Sequence, residues 1–252
     1  MFRDITELRH VQRELEEANL HLRSVQDMKN ELVSFVAHDI KNPLSIIVAT
    51  CGLLDRANQL SPEQQEDVDG IRAAAHRINR MVLDMIDLQL AEDGALQLNV
   101  QTIEVRDLMQ EVARSLIVRM GRAHQRLSVG TADGLAIRGD RSLLFRLIIN
   151  LADNCLKYGP PDGQIRISAW RSTGDRVAIA VSDEGPGVPE HMRDRIFDRY
   201  AKGERLDGQR SADSRGLGLR FCSVMAEAHG GTVWVEDAEP HGARFCVALP
   251  AG

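Results

Sequence analysis

Apolar residues recur at alternating steps of three and four near the start of the chain: Leu8, Val11, Leu15, Ala18, Leu22, Val25, Leu32 and Val36, broken only where Lys29 takes a seam position. A sustained seven-residue repeat matches the 3.5-residue period of a left-handed coiled coil, so the helix that carries it is incomplete without a partner helix. The intervening residues are mostly Glu, Arg, Gln and Asn, as a solvated face requires. Helical periodicity continues to about residue 56, and a second helix is signalled at LSPEQQED. There Ser61 can cap, Pro62 suits the first turn, and the acids sit at the positive end of the dipole. Ile71, Ala74, Ala75, Ile78, Met81, Val82, Met85 and Leu88 form its apolar stripe, and EDGA closes it near Gly94. Two helices joined by a short loop make a hairpin. Two apolar hairpins complete one another as a four-helix bundle, so a homodimer is expected.

Beyond Gly94 the texture changes. Short β-type runs (LQLNV, LAIRG, GQIRISAW, RVAIAVSD, GTVWVED, ARFCVALP) alternate with helical stretches near 104–121, 141–157, 189–196 and 217–228. The late runs are adjacent pairs with short turns such as STGD, which predicts antiparallel pairing. The expected fold is multidomain: an all-α hairpin forming a dimeric bundle, then an α+β sandwich with helices on one sheet face. The boundary is expected between residues 92 and 96. With 252 residues, 43% hydrophobic and 27% charged, the chain has material for both cores. A net charge of -6 disfavours general affinity for nucleic acid or anionic membrane. The four cysteines are scattered with no Cys-x-x-Cys pair, which argues against a zinc site or disulfide framework and fits a reducing compartment. No apolar run approaches the roughly 20 residues that span a bilayer. The opening MFRDITELRH is charged at once, unlike a signal peptide, so a cytoplasmic protein is expected.

Three stretches carry chemistry. In NLADNCLKYG, Asn150, Asn154 and Lys157 share one helix face at spacings of four and three. An asparagine carbonyl offers the oxygen that a hard cation such as Mg²⁺ prefers, and lysine suits a phosphate; taken alone, the pattern is equally that of an ordinary polar face. In VSDEGPGVP, Asp183 ends a β-type run before Gly185 and Gly187. Glycines there admit close backbone approach to a flat ligand, and the carboxylate can accept from a base's exocyclic amine, although such turns are common. In SRGLGLRFCSV, Gly216 and Gly218 open a helix whose free N–H groups favour phosphate. The polar stretch before it, YAKGERLDGQRSAD, has the composition of a mobile lid or of a plain surface loop.

The order and spacing of these stretches closely resemble the ATP-binding domain of sensor histidine kinases, in the GHKL (Bergerat) ATPase family that also includes Hsp90, gyrase and MutL. The hairpin resembles their dimerisation and phosphoacceptor domain, and AHDIKNPL resembles its histidine motif. The resemblance covers residues 28 to 250. It implies that His38 is the phosphoacceptor, Asp39 the acid activating its imidazole, and Asn42 the residue that positions water for dephosphorylating a response regulator. It implies Asn154 as the Mg²⁺ ligand, Asn150 and Lys157 near the phosphates, and Tyr158 beside the base. Asp183 matches the adenine-binding aspartate, with Gly185 and Gly187 in its turn. FDRY matches the aromatic block before the lid, with Arg199 and Lys202 as phosphate contacts, and Gly216, Leu217, Gly218 and Leu219 match the second glycine block. The implied domains are a signalling coiled coil at 1–30, the phosphotransfer hairpin at 31–94 and the catalytic domain at 95–252. FRDITEL resembles the exit of a PAS sensor domain, which implies a sensor upstream. Four positions depart from the family pattern. Ser214 replaces a usual first glycine, Cys155 replaces a usual alanine with no expected consequence, and Asp39 and Asn42 stand where many relatives have Glu and Thr.

The residues around His38 agree with this assignment. His38 and Asn42 lie one turn apart, so both can address one phosphoryl group. In the register of Val36 and Asp39, His38 falls off the seam toward solvent. A neutral imidazole is a competent nucleophile near pH 7, and Asp39 can fix its tautomer. Pro43 interrupts the helical hydrogen bonds just below, a weak point through which the coiled coil could move the bundle. The expected activity is in-line transfer of the γ-phosphoryl of Mg·ATP to His38 and then to an aspartate of a separate response regulator. The competing readings are a non-catalytic pseudokinase scaffold that dimerises and binds a regulator, and an ATPase or serine kinase sharing only the nucleotide fold.

Overall fold

A computed structural model describes residues 39–56, 60–120, 125–198 and 217–252, together with Gln12, His21, Val25 and Met28. The coiled-coil seam as a whole, the PAS-like start, His38, Arg199, Lys202, Ser214, Gly216 and the lid segment lie outside the described residues. The chain divides into two compact units, Met1–Ala95 and Leu96–Gly252.

In the first unit, helix α1 runs through the described residues 39–56, continuing past Pro43, and α2 spans Pro62–Glu92. The start of α2 follows from its local chemistry. Ser61 Oγ accepts from Gln64 N at 3.2 Å while Gln64 Oε1 accepts from Ser61 N at 2.9 Å, a reciprocal capping box. Its end is a Schellman motif: Gly94 has φ +67°, Gly94 N donates to Ala91 O at 3.0 Å, and Ala95 N donates to Leu90 O at 2.8 Å. Asp55 of α1 ties the helices together by accepting from Gln65 Nε2 at 2.7 Å and pairing with Arg72, which also holds Asp69. These donors keep the Asp55 carboxyl below its ordinary range. Replacing Ser61 with Ala should lower the stability of this hairpin by about 1 kcal/mol, read as a shift in its urea midpoint.

Leu44 and Cys51, seven residues apart on α1, are buried, as are Val68, Ala75 and Leu88 on α2. The rest of the stripe is not covered within one chain. Ile46, Leu53, Ile71, Ile78 and Met85 remain between 45% and 67% exposed, far more than one hairpin leaves when it needs no partner.

The second unit has strands β1 (Val100–Glu104), β2 (Arg126–Thr131), β3 (Ala136–Asp140), β4 (Gln164–Ser172), β5 (Arg176–Ser182), β6 (Thr232–Asp237) and β7 (Ala243–Pro250). Its helices are α3 (Val105–Met120), α4 (Arg141–Tyr158) and α5 (Leu217–Ala228). β1 and β3 form an antiparallel pair, and the main sheet has the order β2-β4-β5-β7-β6. Alternation places Ile165, Ile167, Val177, Ile179, Val181, Phe245, Val247 and Leu249 on one face, all buried. Leu144, Leu147, Ile148, Leu151, Phe221 and Met225 of α4 and α5 supply the facing layer. The result is the α+β sandwich expected, with antiparallel β4-β5 and β6-β7 pairs.

Three elements differ from expectation. β2 is additional; it pairs parallel to β4 at the sheet edge, with half of its residues exposed, so it lacks an apolar alternation. The LQLNV run is a strand only from Val100 onward. The helix expected at 189–196 is instead two short 3₁₀ turns, Glu190–Met192 and Arg195–Phe197. Arg193 sits between them and is drawn aside, donating to Val188 O at 3.1 Å and to Asp237 Oδ1 at 2.6 Å.

Candidate functional site

α4 and α5 are clamped at their far ends. The Asp140 carboxylate caps α4 by accepting from Ser142 N at 2.9 Å and Leu143 N at 3.2 Å. The Asp140 backbone N–H in turn donates to Nε2 of the buried His229 at 3.0 Å, and Nδ1 of that ring lies 2.7 Å from Met225 O at the end of α5. This fixes His229 as the tautomer protonated at Nδ1 and gives it a structural role that sequence reading did not assign. Further along, Cys222 Sγ donates to Leu147 O at 3.4 Å and the Arg146 guanidinium stacks 4.7 Å from the Phe221 ring centre.

One turn beyond, the asparagine helix meets the glycine block. A Cβ at Gly218 would lie 3.2 Å from Asn150 Oδ1, so a residue without a side chain lets the first turn of α5 settle against Asn150. Leu217 and Leu219 flank it, half-buried. The first turn of α5 holds no acidic residue to oppose an anion. Asn154 Nδ2 donates to Asn150 O at 3.0 Å, which directs the Oδ1 end of the amide away from the helix backbone. Lys157 is exposed, its Nζ 5.1 Å from the Tyr158 ring centre.

The aspartate turn closes on the other end of α4. A Cβ at Gly185 would stand 2.7 Å from Tyr158 O, and one at Gly159 would stand 3.5 Å from Asp183 Cβ. Asp183 is 4% exposed, and its Oδ1 accepts from Gly185 N at 2.8 Å and Ala243 N at 3.3 Å. These donors offset the cost of burying a carboxylate. Gly187, at φ +75°, packs against Gly242, whose own φ is +114°.

Two residues of this turn escaped sequence reading. Gly242 sits so close that a Cβ on it would lie 1.9 Å from Asp183 O; the only available signal was a glycine in the β6–β7 turn. Cys155, expected to be inconsequential, is fully buried, with the Asp183 carboxylate as its charged neighbour. Burial first, and then this neighbouring anion, push the thiol well above its ordinary range. Nothing in the one-dimensional pattern announces that contact.

Asn150, Asn154, Lys157, Tyr158, Asp183, Gly185, Gly187, Leu217, Gly218 and Leu219 thus lie on α4, the β5 exit and the start of α5, with α4 touching each of the other two within one unit. Asp39 and Asn42 lie in the other unit, both exposed and three residues apart on α1. Among the described residues no helix is long and apolar enough to cross a membrane, and no cluster of His, Cys, Asp and Glu has the makings of a metal site.

A helical hairpin joined to a sandwich with this asparagine–aspartate–glycine arrangement is the architecture of a sensor histidine kinase core, and the chain belongs to that family. Residues 28–94 match the His Kinase A (phospho-acceptor) domain and residues 139–252 match the histidine kinase-, DNA gyrase B- and HSP90-like ATPase domain. Sensor protein DivL of Caulobacter vibrioides is 31% identical over 99% of this chain and 32% of its own length. The adaptive-response sensory kinase SasA of Thermosynechococcus vestitus is 29% identical over 88% of this chain and 60% of its own length. The crystal structure of full-length ShkA in complex with AMPPNP superposes with a TM-score of 0.67 at 25% identity, covering 88% of this chain and 46% of that one. The chain therefore spans between one third and three fifths of the length of these relatives.

Proposed function

We propose that this chain is the catalytic core of an ATP-dependent protein histidine kinase that autophosphorylates His38 and passes the phosphoryl group to an aspartate on a response regulator. The observation that carries the reading is the convergence on α4 of a buried carboxylate turn at its C-terminal end and the start of a glycine-bearing helix near its middle. The first has the chemistry to read an exocyclic amine and the second to hold phosphates. The AMPPNP complex of ShkA, a structure alike over most of this chain, points to the same nucleotide class.

In this reading Asp183, with Gly185 and Gly187, takes the base, and Tyr158 lies beside it. Asn150, Lys157 and the N–H groups at Gly216, Leu217, Gly218 and Leu219 take the phosphates, with Arg199 and Lys202 as further phosphate contacts. Mg²⁺ suits the donor set: Asn154 directs an amide oxygen away from its helix, and a hard cation bound chiefly by phosphates and water needs few protein ligands. When bound, it would neutralise charge on the transferring group. His38 supplies the attacking imidazole nitrogen, Asp39 holds its tautomer, and Asn42 orients water for hydrolysis of the phosphorylated regulator. The domain boundaries proposed are 1–30, 31–94 and 95–252. The exposed Ile46, Leu53, Ile71, Ile78 and Met85 favour a homodimer through a four-helix bundle, and four buried free thiols favour the reducing cytoplasm.

The test is incubation of the whole chain with Mg²⁺ and γ-labelled ATP. Acid-labile label that chelation removes, and that Asn154→Ala lowers by at least about 100-fold, is expected. Nucleotide binding without any label in the wild type would replace this reading with the pseudokinase scaffold. Acid-stable label would replace it with a hydroxyl kinase.

A further inference from the structure

Asp140 does more than cap α4. Its Oδ1 accepts from Ser142 N and Leu143 N, and its Oδ2 accepts from Asn99 N at 3.1 Å. Its own backbone N–H donates to Nε2 of His229, the residue that follows α5. That last contact depends on Gly139, where a Cβ would stand 2.7 Å from His229 Cδ2 and 2.6 Å from Leu144 Cδ1 and would push the ring away. One residue therefore gathers the start of α4, the end of α5 and a third segment, the chain arriving from the hairpin. That segment is short. Ala95 is fixed to the hairpin, its N–H donating to Leu90 O at 2.8 Å. Residues 96–98 lie in no helix or strand, and β1 begins at Val100, opposite Asp140 in the β1–β3 register. While Asn99 is held, only residues 96–98 connect the two units freely. Releasing Asn99 lengthens that connection and leaves the end of β1 to fray.

We propose, on the kinase reading of this chain, that Asp140 is a positioning residue for phosphoryl transfer: the joint that fixes the chain leaving the hairpin to both helices of the nucleotide site. Bound ATP reacts with His38 only when the nucleotide unit presents it at close range and in line. Each freely rotating residue in the connection lowers the fraction of time spent in that geometry. The residues that would hold the nucleotide lie toward the other end of each helix, on the C-terminal half of α4 and the first turn of α5. The joint therefore serves the transfer step and not ATP binding.

The experiment is the ATP dependence of autophosphorylation of the whole chain, with Asp140→Asn as the main variant. Asparagine caps a helix as well as aspartate does, so its oxygen stays on Ser142 N and Leu143 N, and the backbone N–H to His229 is untouched. Its amide NH₂ then faces the Asn99 N–H, donor against donor. The kcat should fall about fivefold while ATP affinity stays within about twofold of the wild type. Hydrogen exchange at the Asn99 amide should quicken by at least about tenfold as the tether is released. Asn99→Ala, which keeps the backbone donor, should match the wild type in every readout. An unchanged or raised kcat overturns the proposal. So does a loss of ATP affinity in step with kcat, which marks a merely structural role, and so does unquickened exchange, since Asp140 then does not hold Asn99. If the wild type forms no acid-labile label, the kinase reading falls and the joint with it. If the wild type is labelled and Asp140→Asn is labelled at the same rate, only the role of Asp140 falls.

Discussion

His38→Ala is expected to leave ATP affinity within about twofold of the wild type and to abolish acid-labile label, a loss of at least about 1,000-fold in autophosphorylation. The two effects separate because the residues that would hold the nucleotide belong to the unit Leu96–Gly252, whereas His38 belongs to Met1–Ala95. Removing the imidazole takes away the atom to which the phosphoryl group bonds, and no rearrangement of donors around ATP can replace it. Asn154→Ala gives a diagnostic contrast, since it should lose label through the nucleotide side while His38 stays available. Filter binding of labelled nucleotide, alongside acid and base stability of labelled protein, distinguishes these outcomes. Residual acid-labile label on His38→Ala would move the acceptor to another histidine and remove the assignment of Asp39 and Asn42 with it.

What the sequence made legible is what local chemistry controls. The start of α2 was readable because Ser61, Pro62 and Gln64 act within one turn, and its end because Gly94 must take a positive φ for the Schellman motif to close. The strands β4, β5 and β7 were readable as β-type runs, β4 by its alternation and β5 and β7 by their nearly continuous apolar residues. β2 was not, because an edge strand with exposed Arg126, Val129 and Gly130 has no buried face long enough to set a pattern. The same division runs through the candidate site. Asn150, Asn154, Asp183 and Gly218 announce themselves by spacing along the chain. Cys155 beneath Asp183, Gly242 against the aspartate carbonyl and His229 bridging α5 to the cap of α4 act across 28, 59 and 89 residues respectively, so no window of the sequence contains both partners.

Gly242→Ala should be the most damaging of the small substitutions in the nucleotide unit, and through the aspartate turn rather than through lost contacts. Gly242 has φ +114°, where an L side chain is strained, which costs about 1–3 kcal/mol. Its Cβ would lie 1.9 Å from Asp183 O and 2.7 Å from Asp183 C. Both are backbone atoms, so no rotamer change relieves the overlap and one chain segment must retreat, adding a further cost of about 1–3 kcal/mol. The segments that would part are those that hold Asp183: Asp183 N donates to Ala243 O at 3.0 Å, and Ala243 N donates to Asp183 Oδ1 at 3.3 Å. A combined loss of about 2–6 kcal/mol corresponds to a fall in melting temperature of roughly 5–20 °C for a unit of this size. ATP affinity should drop by at least about tenfold even where the fold persists. Gly174→Ala is the control. Gly174 also has a positive φ, +69°, but a Cβ there meets nothing within 4 Å, so only the backbone strain of about 1 kcal/mol remains and ATP affinity is unchanged. Thermal unfolding and nucleotide titration of the two variants side by side decide the matter. If Gly242→Ala melts like Gly174→Ala and binds ATP normally, the β6–β7 turn does not hold the Asp183 turn in place, and the geometry that makes Asp183 the base-reading group loses its support.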